Sequence, residues 1–212
     1  MIPRIHAHDL VRKSGSKAVK LNPSAAQTHF NLATVLRSIG DNENAMRSMN
    51  QFEVLRRISD KIAETGATLH DAPENIEKRL TLARNHLLLG HKMQALVQYQ
   101  SVLAFKPSQM DARLELVRLY VENGETATAL RLCLEGINRF PKHSDLDRLH
   151  FALGQVYFTA GRNREAEASW KRSLELDPDY IEVHFVLATL YESTGRHGLA
   201  SNSYREFLNQ WD

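Results

Sequence analysis

The chain has 212 residues, 42% of them hydrophobic and 25% charged, with 27 Lys and Arg against 25 Asp and Glu. That balance suits a folded core rather than a disordered chain, and a net charge of +2 is too small to imply nucleic acid or an anionic membrane as partner. The single cysteine, Cys133, excludes an intramolecular disulfide, no apolar run approaches a membrane span, and the first eight residues lack the apolar core of a signal peptide.

The sequence therefore reads as cytoplasmic, unless a targeting signal has been lost ahead of it. Charge is unevenly spread: residues 1–70 carry ten basic and six acidic side chains, and residues 147–212 carry seven and ten. The gradient reads as incidental surface charge, with head-to-tail contact between copies as the sharper alternative.

A periodic signal dominates the chain. A glycine is followed five residues later by an alanine at Gly40/Ala45, Gly90/Ala95, Gly124/Ala129, Gly161/Ala166 and Gly195/Ala200. Three of the four intervals between these glycines are 34 or 37 residues, the signature of a stacked helical array.

In chain order, residues 1–25 read as a partial repeat, second helix only, because Ala18-Val19-Lys20-Leu21-Asn22-Pro23 has the form of a closing segment. Residues 26–59 form the first full unit. It lacks a closing proline, and Val54, Leu55, Ile58 and Ile62 carry its second helix on toward Glu64, where Gly66 is expected to end it. Residues 60–75 are thus an extended helix and linker, a candidate hinge. Asp71 is the expected N-cap of the next helix, with Pro73 and Glu74 in its first turn.

Units two to five occupy 76–109, 110–143, 147–180 and 181–212. The last stops at Trp211-Asp212 without a polar capping helix. Both ends therefore suggest a piece of a longer array, or ends covered by another copy.

Within a unit, positions four, seven, eight and eleven share one face of a first helix at the 3.6-residue period. Position seven is leucine throughout (Leu32, Leu82, Leu116, Leu153, Leu187), and position eight is small: Ala33, Ala83, Val117, Gly154, Ala188. The glycine at fifteen ends the helix in the left-handed conformation it alone adopts cheaply. The alanine at twenty then meets the small residue at eight, which lets the two helices of a unit approach closely. Pro107, Pro141 and Pro178 close three of the units.

This register resembles the tetratricopeptide repeat family. Unit four carries it best, through Leu153-Gly154, Tyr157, Gly161, Ala166, Trp170 and Leu174-Glu175-Leu176-Asp177-Pro178. The family's tryptophan at position four is replaced by His29, Arg79, Arg113, His150 and His184. The resemblance implies an all-α fold, a right-handed superhelical α-solenoid of helix-turn-helix repeats, and a role in binding proteins.

Chemistry is sparse. Phosphate loops, zinc-protease spacing and a nucleophile elbow are all missing. His6 and His8 make at best a weak metal pair, the histidines at position four read as packing, and Cys133 reads as a core thiol. No cofactor and no enzymatic activity are expected.

The resemblance places an inner groove along positions two, five, nine and twelve of the first helices. Position five supplies Phe30, Leu80, Leu114, Phe151 and Phe185, with interhelix packing as the competing reading for each. Position nine supplies Arg84, Arg118 and Gln155, and position twelve supplies Leu87, Val121 and Phe158. Phe158 is the expected anchor, since buried aromatics dominate such interfaces. Arg84 and Arg118 are expected to hold an acidic group or terminal carboxylate of a short peptide.

The chaperone-tail clamp of some family members is not matched, because Phe30, Thr34, Thr81, Asp111 and Glu115 stand at its positions. An asparagine ladder is represented only by Asn31. RNA reading is disfavoured by position two, where Gln27, Glu77, Asp111, Arg148 and Glu182 are mostly acidic. The reading is thus a non-catalytic scaffold for a protein or peptide partner, with no nucleic acid and no membrane insertion. The alternatives are a self-assembling homo-oligomer, or the docking module of a larger enzyme or secretion protein.

Overall fold

The computed structural model describes residues 24–211 together with Lys13, Lys17, Val19 and Asn22. The partial repeat expected over residues 1–25 and the His6/His8 pair therefore lie mostly or wholly outside the described residues. Among the described residues the chain forms ten helices and no strand. They are α1 (Ala26–Ser38), α2 (Asn42–Asp71), α3 (Ile76–Leu88), α4 (Lys92–Phe105), α5 (Met110–Glu122), α6 (Thr126–Arg139), α7 (Leu146–Thr159), α8 (Asn163–Leu176), α9 (Ile181–Ser193) and α10 (His197–Trp211). The chain divides into two compact units, one ending at Gln98 and the other beginning at Tyr99.

Each helical hairpin turns on its glycine. Gly40, Gly90, Gly124, Gly161 and Gly195 have φ of 82, 71, 79, 71 and 72°. Two backbone bonds recur at every one of these turns. Gly161 N–H donates to the Phe158 carbonyl at 2.9 Å and Arg162 N–H to the Tyr157 carbonyl at 2.9 Å, and the other four glycines repeat the pair. This is the Schellman motif, which satisfies the last carbonyls of the first helix. At two turns a side chain reinforces it: Arg162 lies 4.6 Å over the Tyr157 ring, and Arg196 lies 4.5 Å over Tyr191.

In the first unit, α1 packs on α2 around buried Leu32, Leu36 and Ala45, with Val19 and Ile39 against them. Asp41 caps α2 by accepting from the Asn44 N–H. The helix then runs 30 residues, well past Gly66, which does not end it. Its buried residues Ala45, Ser48, Leu55, Thr65 and Leu69 fall 3, 7, 10 and 4 residues apart, spacings that return to one face of the helix. Burial of Thr65 and Leu69 thus outweighs the roughly 1 kcal/mol that glycine costs inside a helix. Leu55 lies on this face while Val54 is exposed. Asp71 is the last residue of α2 rather than a cap, and Pro73 and Glu74 precede α3. Asn75 caps α3 instead, accepting from the Lys78 N–H at 3.0 Å.

In the second unit the core has two centres. Met110, Val117, Ala129, Cys133, Leu149, Leu153 and Val156 form one, and Ala166, Trp170, Val183, Leu187, Leu190, Tyr191 and Ala200 form the other. Alanine at position twenty is buried in every hairpin. Gly154 has the closest approach, because a Cβ there would overlap Cδ1 and Nε1 of Trp170. The Trp170 indole N–H donates to the Phe151 carbonyl at 3.1 Å, and the Ser173 hydroxyl to the Asp147 carbonyl at 2.7 Å. These bonds pin α8 along the back of α7 and so fix which face α7 leaves open.

Candidate functional site

That open face of α7 meets the matching face of α5 in a cleft of about 410 Å³. Leu114, Val117 and Val121 of α5 and Phe151 and Ala152 of α7 form its apolar floor. Glu115, Arg118, Glu122, Arg148, Gln155 and Thr159 rim it, and Tyr180, just before α9, closes one end with its ring 5.0 Å from that of Phe151. The first helices of successive hairpins supply the lining because their second helices stand behind them, through the Trp170 and Ser173 bonds already described.

The rim charges are arranged in shared pairs. Arg118 Nη2 lies 2.8 Å from Glu115 Oε2, and Nη1 lies 2.5 Å from Glu122 Oε1. Burial alone would lower the Arg118 pKa, but the Glu115 hydrogen bond and the two carboxylate charges outweigh it and raise it above the ordinary value. Arg148 Nη1 lies 3.1 Å from Asp111 Oδ1 and 3.7 Å from Asp145 Oδ2. Each guanidinium thus faces two carboxylates. The Tyr180 phenol is pushed upward in pKa, first by burial and then by Glu182, with Asp147 and Asp177 adding and Arg148 opposing.

Of the residues expected in a groove, the structure gathers Leu114, Arg118, Val121, Phe151 and Gln155 around this cleft. Phe158 stands outside it, 38% exposed and 5.7 Å from the Trp170 ring. Its ring packs toward the second helix of its own hairpin. Phe185 is exposed and packs edge-on against Tyr204 and at 5.4 Å against Phe207 of α10. Phe30 is exposed beside Phe52 at 5.2 Å.

Leu80 is a correction: at 2% exposure it is core, and it offers nothing to a ligand. Leu87 is half-buried and Arg84 exposed, both in the first unit. Arg84 belongs to the first unit and Arg118 to the second. Arg118 is moreover occupied by its own helix.

Sequence reading missed Glu115, Glu122, Thr159 and Tyr180 as lining residues, and weighed Arg148 only against RNA. The signal for the glutamates was present, since they stand three before and four after Arg118, within reach on one helix face.

Position four also holds more than expected. The Arg113 side chain is 1% exposed and donates to the carbonyls of Leu132 and Pro107, both at 3.0 Å, with Glu135 at 3.9 Å and the Phe140 ring 5.8 Å away. It joins α5 to α6 and to the preceding loop, in the place the family gives to tryptophan. Cys133 is buried, and burial pushes its pKa up to about 12 despite the neighbouring Arg113, so it is a thiol and not a nucleophile.

A second polar cluster lies at the α8–α9 junction. Glu167 accepts from Lys171 at 2.8 Å, Arg196 at 2.6 Å and the Tyr191 hydroxyl at 3.1 Å. Among the described residues no group of three or more His, Cys, Asp and Glu side chains is placed to hold a metal ion. No helix among them is long and apolar enough to cross a membrane.

Comparison with known proteins shows what the repeat is similar to. A family model described as TPR repeat matches residues 154–195. A crystal structure of a thermophilic TPR protein in Thermus thermophilus is 27% identical, with a TM-score of 0.58, covering 88% of this chain and 91% of that one. MamA from Desulfovibrio magneticus RS-1, from residue 41 to its end, is 16% identical with a TM-score of 0.57, covering 87% and 94%. PilF of Pseudomonas aeruginosa is 16% identical with a TM-score of 0.60, covering 96% and 78%. The last two speak to the fold, an all-α helical repeat solenoid. No curated protein matches the sequence.

Proposed function

We propose that this chain, whose residues 154–195 match the TPR repeat, is a non-catalytic scaffold that seats a short segment of a partner protein in the cleft between α5 and α7. The cleft itself carries the reading. Its floor is apolar, its rim is polar, and its 410 Å³ accommodates one or two side chains of a peptide. The side chains around it supply no nucleophile with an adjacent base, which favours holding over chemistry.

The test is site-specific photo-crosslinking. A photoreactive side chain at Gln155, on the rim, is expected to form adducts with a binding partner. The same group at Lys171, on the exposed back of α8, is not. Equal adducts at both positions, or adducts only at 171, overturn the cleft as the binding site.

Self-association is a second reading, favoured by α10. Its Leu199 and Leu208 are 46% and 61% exposed, on a helix that also carries a shallow hollow around Tyr204. Light scattering that shows a strict monomer across concentrations counts against it.

A further inference from the structure

Resting on that cleft, we infer that its preferred occupant is an uncharged, extended segment of a partner protein. The Gln155 carboxamide and the Tyr180 hydroxyl recognise the main chain of that segment, and one of its apolar side chains lies on the floor.

The polar groups around the cleft divide into those already paired within the protein and those that are not. Every charged group on the rim is of the first kind. Arg118 donates from Nε and both terminal nitrogens to Glu115 and Glu122. Arg148 lies between Asp111 and Asp145. Thr159 is spent as well, its hydroxyl donating to the Gln155 main-chain carbonyl at 2.9 Å.

The two groups that remain are neutral. The Gln155 carboxamide is half-buried at the cleft and makes no hydrogen bond among the described residues. Its adjacent carbonyl and NH2 match the N–H and C=O of an extended main chain. The Tyr180 hydroxyl likewise has no partner among them. Its ring is held 5.0 Å from Phe151, and burial keeps the phenol in its neutral form.

Their spacing suits an extended chain. Arg148, Phe151, Gln155 and Thr159 stand three or four residues apart on one face of α7. One helical turn, about 6 Å along the axis, therefore separates Gln155 from Phe151 and the Tyr180 ring beside it. An extended chain covers about 7 Å in two residues. A segment lying along α7 thus meets both groups with main-chain atoms two residues apart, and sets the side chain between them over Leu114, Val117 and Val121.

A carboxylate or an ammonium in the same place meets no unpaired counter-charge, and it loses hydration above an apolar floor. An uncharged segment avoids that cost, and its amides exchange water for Gln155 and Tyr180.

Selection of a random peptide library on the immobilised full chain tests this, followed by anisotropy titration of the enriched peptides. Enriched sequences are expected to carry an aromatic or aliphatic residue between uncharged neighbours. Their affinity is expected to change less than about twofold as salt rises from roughly 50 to 500 mM. Gln155→Ala is expected to weaken them about tenfold, and N-methylation of one peptide amide to do the same. In combination the two changes are expected to cost no more than either alone, the mark of a shared hydrogen bond. Tyr180→Phe, which keeps the ring on Phe151, is expected to weaken binding about threefold. The loss at Gln155 is partial because the floor is untouched, so a photoreactive group there still crosslinks at higher partner concentration.

Val121→Ala, checked for native helicity, and crosslinking from Thr159 report whether the cleft is the place of binding. If peptides respond to Val121→Ala but have charged flanks with salt-dependent affinity, or if Gln155→Ala and N-methylation add at every amide, main-chain recognition is wrong and the cleft stands. If enriched peptides ignore Val121→Ala and do not crosslink from 159, the cleft itself is wrong and the inference falls with it. If no peptide is enriched, both readings are overturned.

Discussion

Replacing Gly154 by alanine adds one methyl group at the tightest point of the second unit. A Cβ there would overlap Cδ1 and Nε1 of Trp170 and stand 2.8 Å from Cε2. The indole cannot retreat without cost, being 1% exposed and held by its bond to the Phe151 carbonyl. Overpacking of this kind costs about 1–3 kcal/mol. Losing the indole hydrogen bond adds about 1 kcal/mol, and the better helix propensity of alanine returns about 1 kcal/mol.

The expected net effect is a destabilisation of about 1–3 kcal/mol. Urea unfolding followed by far-ultraviolet ellipticity measures it, with Gly66→Ala as the control. At Gly66 a Cβ meets nothing within 4 Å inside a regular helix, so the same methyl is expected to stabilise by about 0.5–1 kcal/mol. A Gly154→Ala protein that unfolds at the same urea concentration as wild type, or higher, refutes the close helix approach on which the hairpin geometry rests.

Three further outcomes follow from particular groups. Gly124→Ala, at φ 79° with open space around it, is expected to cost about 1–2 kcal/mol from backbone strain alone, read as a lower urea midpoint. Cys133, buried and with its pKa near 12, is expected to resist alkylation at mildly alkaline pH until urea unfolds the chain; fast labelling of the native protein would contradict its burial. Partial burial raises the Glu167 pKa, but hydrogen bonds from Lys171, Arg196 and Tyr191 outweigh it and bring it to about 2, against 4.5 ordinarily. A depressed folded-state value contributes stability above the ordinary one and loses it as pH falls from about 4.5 toward 2, so Glu167→Gln is expected to flatten that limb of an acid titration of stability.

Much of the fold is legible in the sequence because its period is carried by residues with one physical job each. Gly161 has to turn left-handed, Ala166 has to be small, and Leu153 has to fill the space between the helices of one hairpin. Such demands leave little choice of residue type, so they show in a bare sequence. Gly66 misleads for the opposite reason. Its local preference is to end a helix, and the override comes from Thr65 and Leu69, whose burial against another helix is not visible from spacing around the glycine. Asp71 and Asn75 are both good caps four residues apart, and only the true end of α2 decides between them.

The cleft is half legible on the same grounds. Periodicity assigns Leu114, Val121, Phe151 and Gln155 to one face, because facing is a property of helical spacing. It assigns Phe158 to that face as well, and there it fails. Val121 at the same position does line the cleft, so the difference at Phe158 comes from its contact with the Trp170 ring. Nor does a face tell whether a charge on it is free.

Arg118 reads as an anion holder when taken with other first-helix residues, and as a partner of Glu115 and Glu122 when taken with its own. Local pairs cost less to form, because they need no ordering beyond a helix already present. The ligand preference of such a site is therefore set less by which charges line it than by which of them its own helix leaves unspent. By that criterion Arg118, turned onto Glu115 and Glu122, and Arg148, turned onto Asp111 and Asp145, are already committed.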